Sequence, residues 1–322
     1  MKVSVIIPTY NRCQFIGLTL ESFAGQNFDK GEFEIIVVDN NSTDNTQNVV
    51  ETFIQSNPDF KIYYHVETLQ GVHYARNTAA KIAKGEYLYF TDDDMIADTN
   101  LLNELLYLFG LDEKIASVTG TVLPKWEVKP PHWILKLCNN ALLSLNSPSK
   151  EIIISETDCN VFSCHQMIKR NVFLLSGGFN PENTKGEWIG DGETGINIKI
   201  KELGFKFASN RKSITNHIIP PSRMTQTYLN KRLYNQGNCD TYTWYRQSKP
   251  SNPKLIIDIL ISLLKAFYNF AKYIVRLLSL NIKWRISLAY CYYYLARIKY
   301  NFKLITDDNW KELVLKTNWI EE

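Results

Sequence analysis

The chain has 322 residues, more than one compact domain usually needs, so a catalytic-sized domain with a smaller appendage is expected. A hydrophobic fraction of 45% and a charged fraction of 21% exclude wholesale disorder, and a net charge of +3 is too small to imply nucleic acid. Six cysteines, Cys13, Cys138, Cys159, Cys164, Cys239 and Cys291, follow no disulfide rhythm and suit a reducing cytoplasm; Cys159, Cys164 and His165 fit no common zinc spacing and read as buried packing residues.

Met1 to Pro8 has too short an apolar core for a signal peptide and reads as a first buried strand. Short apolar runs then alternate with amphipathic stretches, the pattern of a parallel α/β sheet. Strands are expected at Val3 to Ile7, Glu34 to Val38, Lys61 to Val66, Glu86 to Thr91 and Ala116 to Val122. Helices are expected at Arg12 to Phe23, Thr43 to Ile54 and Gly71 to Lys84, the last presenting Arg76 near its start. Ligands in such sheets sit beyond the C-terminal strand ends, which places Asp39 and the triplet Asp92, Asp93, Asp94 at one crevice. Three successive carboxylates repel one another unless a cation offsets them, so the triplet points to a metal-phosphate site; a cap for the helix beginning near Asp98 also fits.

From Leu123 to Lys150 periodicity lapses into an ordered loop whose Trp126 and Trp133 either stack on a sugar or pack the loop down. Strand-like segments return at Ile152 to Ile154 and Val161 to Phe162. The turn Gly177 to Pro181 precedes Trp188-Ile189-Gly190-Asp191-Gly192-Glu193, which leads into a helix ending near Gly204. From Leu255 to Leu280 the polar residues Asp258, Ser262, Lys265, Asn269, Lys272, Arg276 and Ser279 form one narrow stripe on an otherwise apolar helix. Such a helix either packs deeply in protein or lies in a membrane interface with its mostly basic stripe toward anionic headgroups, and its charges argue against a transmembrane span. Lys283-Trp284-Arg285 and Tyr290 to Tyr294 continue the basic-aromatic character.

Val3 to Arg12, Glu34 to Thr46, Gly71 to Asn77 and the triplet together resemble the family 2 glycosyltransferases of the GT-A fold, over roughly residues 1 to 245. The resemblance implies inverting transfer from a nucleotide-diphospho-sugar to a saccharide or lipid-linked acceptor, aided by a divalent metal, Mn2+ or Mg2+. It implies nucleotide-sugar contacts at Pro8, Thr9, Tyr10, Asp39, Arg76, Asp92, Asp93 and Arg223, and metal contacts at Asp94, Asp92 and His217. The family's base lies in a Glu-Asp pair before a helix. Here Gly192 separates two acids, leaving Glu193 or Asp191 for that role. Acceptor contacts are expected at Trp126, Trp133, Asn160 and Trp188.

The organisation expected is a nucleotide-sugar-binding half over residues 1–122, an acceptor and base half over 123–245, and an amphipathic helical extension over 253–322. A cytoplasmic protein, peripheral at the inner face of the membrane and engaged in surface polysaccharide or glycolipid synthesis, follows. A non-catalytic nucleotide-sugar-binding subunit is the alternative. A sugar nucleotidylyltransferase or a dinucleotide oxidoreductase would need a glycine-rich turn where this chain has Pro8-Thr9-Tyr10-Asn11-Arg12.

Overall fold

In the computed structural model, residues 1–138, 140–181, 183–184, 187–188 and 190–320 are described. The elements run β1 (Val3–Thr9), α1 (Ile16–Ala24), β2 (Phe33–Asp39), α2 (Thr46–Ser56), β3 (Ile62–Val66), α3 (Val72–Ile82), β4 (Tyr87–Thr91), β5 (Met95–Ala97), α4 (Leu101–Phe109), β6 (Ile115–Trp126) and α5 (His132–Leu137). There follow β7 (Ile152–Ser155), β8 (His165–Lys169), α6 (Arg170–Leu175), β9 (Asn183–Thr184), β10 (Glu187–Trp188), α7 (Gly192–Glu202), β11 (Lys206–Ile219), α8 (Gln226–Ser248), α9 (Asn252–Leu278), α10 (Trp284–Thr306) and α11 (Asp308–Leu315).

Most strands belong to one mixed sheet ordered β3-β2-β1-β4-β8-β6-β11-β5, with β7 also paired to β11. The parallel part, β3-β2-β1-β4, carries the fully buried runs of β1, β2 and β4, as expected for strands covered on both faces. Alternation divides their side chains. Val3, Val5 and Ile7 join Ile16, Leu20, Leu101 and Leu105 of α1 and α4 on one face, while Ile6 joins Ala75, Ala79, Phe173 and Ile196 of α3, α6 and α7 on the other.

Two strands absent from the sequence reading complete the site. The three-residue β5 pairs antiparallel with β11, setting His217 beside Met95, and the Ile218 amide donates to the Asp94 carbonyl at 2.9 Å. The strand expected at Val161 to Phe162 is instead irregular and leads into a turn at Ser163 and Cys164; the pairing begins at His165, where β8 fits between β4 and β6. The first part of the expected loop is more regular than the sequence suggests, with β6 running through Trp126 and α5 following at His132–Leu137.

Helices α8 to α11 pack together. Part of the polar stripe of α9 turns inward: Arg297 Nη2 of α10 meets both oxygens of Asp258 at 2.9 Å, Asn301 donates to Asp258 at 2.7 Å, Arg276 donates to Ser287 at 2.7 Å, and Ser262 is buried, while Lys265 and Ser279 stay exposed. For Asp258, Ser262 and Arg276 the protein-packed alternative holds, and these three are not turned toward headgroups. These three form an interhelical seam, since polar groups buried between helices need partners and find them there. The apolar side faces out, with Leu264 71%, Phe267 74% and Leu278 80% exposed. Among the described residues, no helix is long and apolar enough to cross a membrane.

The segment after α11 returns to the sheet domain. Trp319 donates its amide to the Gly177 carbonyl at 2.9 Å, and Lys199 Nζ donates to the carbonyls of Gly178 and Thr317, each at 2.9 Å. Gly178, at φ 71°, has no room for a Cβ, which would lie 2.7 Å from both Asn77 Oδ1 and Ile320.

Candidate functional site

Beyond the C-terminal ends of β1 and β4 the molecule opens into a cleft of about 490 Å3, and the acidic turn between β4 and β5 lines it. Asp93 is buried: Thr9 donates to its Oδ2 at 2.7 Å, and Arg12 Nε stands 3.9 Å from Oδ1. Thr19 of α1 donates to the Asp93 carbonyl at 2.8 Å, tying the turn to the first helix. Burial and the neighbouring Asp94 push the Asp93 carboxyl up. Burial also opposes charge on Asp94, but His217 and Arg223 outweigh it and hold that carboxyl down. Adjacent acids are thus driven apart by their surroundings.

Arg223 follows β11 in a short 3-10 turn, Pro221–Met224. Its Nη2 donates to Asp94 Oδ2 at 2.8 Å and its Nη1 to His217 Nε2. The other ring nitrogen of His217 donates to the Leu143 carbonyl at 2.9 Å, a backbone anchor that leaves Nε2 as the ring's lone pair. Asp94 Oδ1 is buried without a hydrogen-bond partner and lies 3.6 Å from His217 Nε2. The buried, orphaned carboxylate oxygen suits a divalent cation, whereas the His217 lone pair already accepts from Arg223 and would reach an ion only on release of that contact. Among the described residues no group of three or more His, Cys, Asp or Glu side chains is gathered to hold an ion by itself, so phosphate oxygens or water would complete the shell, which is normal for magnesium-like ions.

On α3, Arg76 is almost fully buried. Its Nη2 meets Asp92 Oδ1 at 2.5 Å, and its Nη1 donates to Ser163 Oγ at 2.9 Å and His73 Nε2 at 3.1 Å. The Phe179 ring lies beneath, 5.6 Å from the guanidinium and 5.0 Å from the His73 ring. Burial and then Arg76 keep His73 well below the usual imidazole range, so it stays neutral and can accept. Ser163 in turn donates to Glu193 Oε2 at 3.0 Å.

The two candidate bases part company here. Glu193, in the first turn of α7, lines the cleft with Arg76 and the acidic turn. Asp191 is buried, accepts from Asn180 at 3.0 Å and Thr243 at 2.8 Å, and borders a separate cavity of about 290 Å3. Gly192 between them adopts φ 50°, and a Cβ on Gly195 would fall 2.1 Å from Asp191 Oδ1. Two glycines therefore let Asp191 fold back under α7 while Glu193 points to the cleft.

Of the other expected residues, Pro8, Thr9, Tyr10, Asp92 and Arg223 line the cleft. Asp39 is engaged elsewhere, with Tyr64 donating to Oδ2 at 2.6 Å and the Ser42 amide to Oδ1 at 2.8 Å. Trp133 is buried in a cluster with Ile134, Ile219 and Met224, with the Arg285 guanidinium 4.5 Å from its ring; Trp126 packs on the same cluster. Neither tryptophan lines the cleft, and packing accounts for both. Asn160 is exposed in a left-handed turn at φ 61°, and the side chain of Trp188 lies outside the described set. Residues that sequence reading missed, Arg12, Ser163 and Arg232, also line the cleft. Arg12 stood in the first quoted motif; Ser163 and Arg232 carry no local signal. Cys164 and His165 pack as expected: Cys164 is buried, and His165 Nδ1 meets the Tyr89 hydroxyl at 2.8 Å.

The chain matches Glycosyl transferase family 2 across residues 4–174. It is 34% identical over 158 residues to the poly(ribitol-phosphate) beta-N-acetylglucosaminyltransferase TarS of Staphylococcus aureus, a match covering 47% of this chain and 27% of that protein. It is 36% identical over 122 residues to the GalNAc(5)-diNAcBac-PP-undecaprenol beta-1,3-glucosyltransferase of Campylobacter jejuni, covering 38% of each. These matches span well under two thirds of the relatives' own lengths. In architecture the chain resembles the mannosyltransferase PcManGT of Pyrobaculum calidifontis, solved with GDP-Man and Mn2+, with a TM-score of 0.63 at 20% identity over 95% of this chain and 88% of that one.

Proposed function

This chain belongs to glycosyl transferase family 2, and from that premise we propose that it is an inverting, metal-dependent glycosyltransferase. It moves a sugar from a nucleotide-diphospho-sugar to a hydroxyl of a surface polysaccharide or glycolipid acceptor. The observation that carries the reading is that Glu193 and the turn Asp92, Asp93, Asp94 line one cleft together with four arginines, Arg12, Arg76, Arg223 and Arg232.

Pro8, Thr9 and Tyr10 border the nucleotide, and Arg223 meets the diphosphate, for which a planar guanidinium is well matched. Asp92, Asp94 and His217 would hold a divalent cation, Mn2+ or Mg2+, which supplies positive charge against the departing diphosphate. Glu193 removes the acceptor hydroxyl's proton. That oxygen bonds to the anomeric carbon from the face opposite the leaving group, and the bond to the diphosphate breaks with its electron pair leaving on the nucleoside diphosphate. The relatives named for poly(ribitol-phosphate) and for an undecaprenol-linked glycan support a polymer or lipid-linked acceptor.

The exposed apolar side of α9 supports attachment to the inner membrane surface. Leu264, Phe267 and Leu278 would enter the headgroup boundary, and the exposed Lys254 and Lys283 at the helix ends would meet anionic lipid.

The test is a screen of UDP- and GDP-sugars with a lipid-linked acceptor pool, read by mass spectrometry, with the product's anomeric configuration read by NMR. Transfer with inversion is expected. Retention of configuration contradicts the mechanism, and nucleotide-sugar binding without turnover across the panel assigns the chain to the binding-subunit class.

A further inference from the structure

Ser163 has one hydroxyl proton to give, and its surroundings decide where that proton points. Arg76 Nη1 donates into Ser163 Oγ at 2.9 Å, so the hydroxyl's own hydrogen is directed to Glu193 Oε2 at 3.0 Å. Arg76 cannot swing away. Its second nitrogen is held by Asp92 at 2.5 Å, its first also by neutral His73, and its face rests on Phe179. Phe179 is pinned in turn, since Asn77 donates to its carbonyl and accepts from its amide, both at 3.0 Å. Arg76 and Ser163 are 2% and 6% exposed, and a hydrogen bond shielded from water is stronger and better directed than one at the surface.

We infer that Ser163 is a positioning residue that orients Glu193 for proton removal and couples it, through Arg76, to the carboxylate of Asp92 at the nucleotide end of the cleft. The inference rests on the assignment of Glu193 as the base. Two acids of like charge share one guanidinium-hydroxyl bridge, which holds them in a fixed relation. Ser163 occupies Oε2 and leaves Oε1 as the oxygen that takes the acceptor's proton. No signal local to Ser163 announces this role, because it arises only when the β4 turn, α3 and α7 converge.

The test compares full-length wild type with Ser163→Ala, Ser163→Thr, Glu193→Gln and the double variant Ser163→Ala/Glu193→Gln. All are assayed with a pool of UDP- and GDP-sugars plus a lipid-linked acceptor pool, following UDP and GDP release and measuring UDP and GDP binding separately. Ser163→Ala should lower kcat by about tenfold to a hundredfold, the scale of a misplaced catalytic group, with donor KM and nucleotide affinity changed by less than about twofold. Ser163→Thr, which keeps the hydroxyl, should recover most of the rate. The double variant should be no slower than Glu193→Gln alone, since residues acting as a unit are not additive. Should Ser163→Ala fail to fold, Ser163→Cys, a poor donor of similar size, is read in its place with the same expectation. A full-rate Ser163→Ala beside an inactive Glu193→Gln overturns the coupling alone, as do losses that multiply in the double variant or fall equally on nucleotide affinity. A full-rate Glu193→Gln overturns the base assignment and the inference with it.

Discussion

Arg223 donates to Asp94 at 2.8 Å across 129 positions of sequence, closing the acidic turn from the far side of the sheet. The contact exists because β5 pairs with β11, so the end of β11 delivers both His217 and Arg223 to the carboxylate. Removing one partner of a buried pair leaves the other charge uncompensated, at a cost of about 3–5 kcal/mol. Arg223→Ala is therefore expected to raise donor KM by at least about tenfold, the equivalent of about 1.4 kcal/mol, and to lower stability to urea. Steady-state kinetics with calorimetric nucleotide binding checks both.

Asp94 Oδ1 is the one carboxylate oxygen of that pair left without a partner. Chelation with EDTA should stop transfer, and Mn2+ or Mg2+ should restore it. Asp94→Asn should stay inactive at every metal concentration. Undiminished turnover in EDTA after exhaustive dialysis would remove the metal from the account.

Much of this site was legible beforehand, and the reason is physical. β1, β2 and β4 are buried on both faces, so their apolar runs stand out, and their polar exits at Thr9, Asp39 and Asp92 mark the ligand end of a parallel sheet. Illegible elements depend on distant partners. β5 is three residues long and exists only through β11, and Ser163 sits in a turn that gains meaning from Arg76 and Glu193. The stripe on α9 is legible as a stripe, but the inward turn of Asp258 depends on Arg297 and Asn301, which lie about forty residues later on α10.

The outward apolar side of α9 makes a direct prediction about location. Replacing Leu264 and Phe267 together by Glu should abolish co-sedimentation with vesicles containing anionic phospholipid, because each charge would have to enter the headgroup boundary. Transfer to a soluble acceptor should be unchanged, since neither residue lines the cleft. Unchanged vesicle binding would remove the membrane assignment, and a shift from dimer to monomer on size exclusion would give this face to a second copy.

Trp319 is buried against Tyr74 of α3, with ring centroids 6.3 Å apart, and its amide holds Gly177. Trp319→Ala should cost about 3–5 kcal/mol, the range for truncating a buried large aromatic. Urea denaturation measures the loss. Because Gly178 and Phe179 follow the held residue and Phe179 supports Arg76, kcat should fall as well.

The most direct test of the central claim is the turnover of Glu193→Gln beside its nucleotide binding. Amide for carboxylate keeps size and removes the basic oxygen, so release of UDP or GDP in the presence of acceptor should fall by about a hundredfold or more, with nucleotide affinity close to wild type. Wild-type turnover in Glu193→Gln would contradict the account and move the base away from the cleft-lining acid of α7.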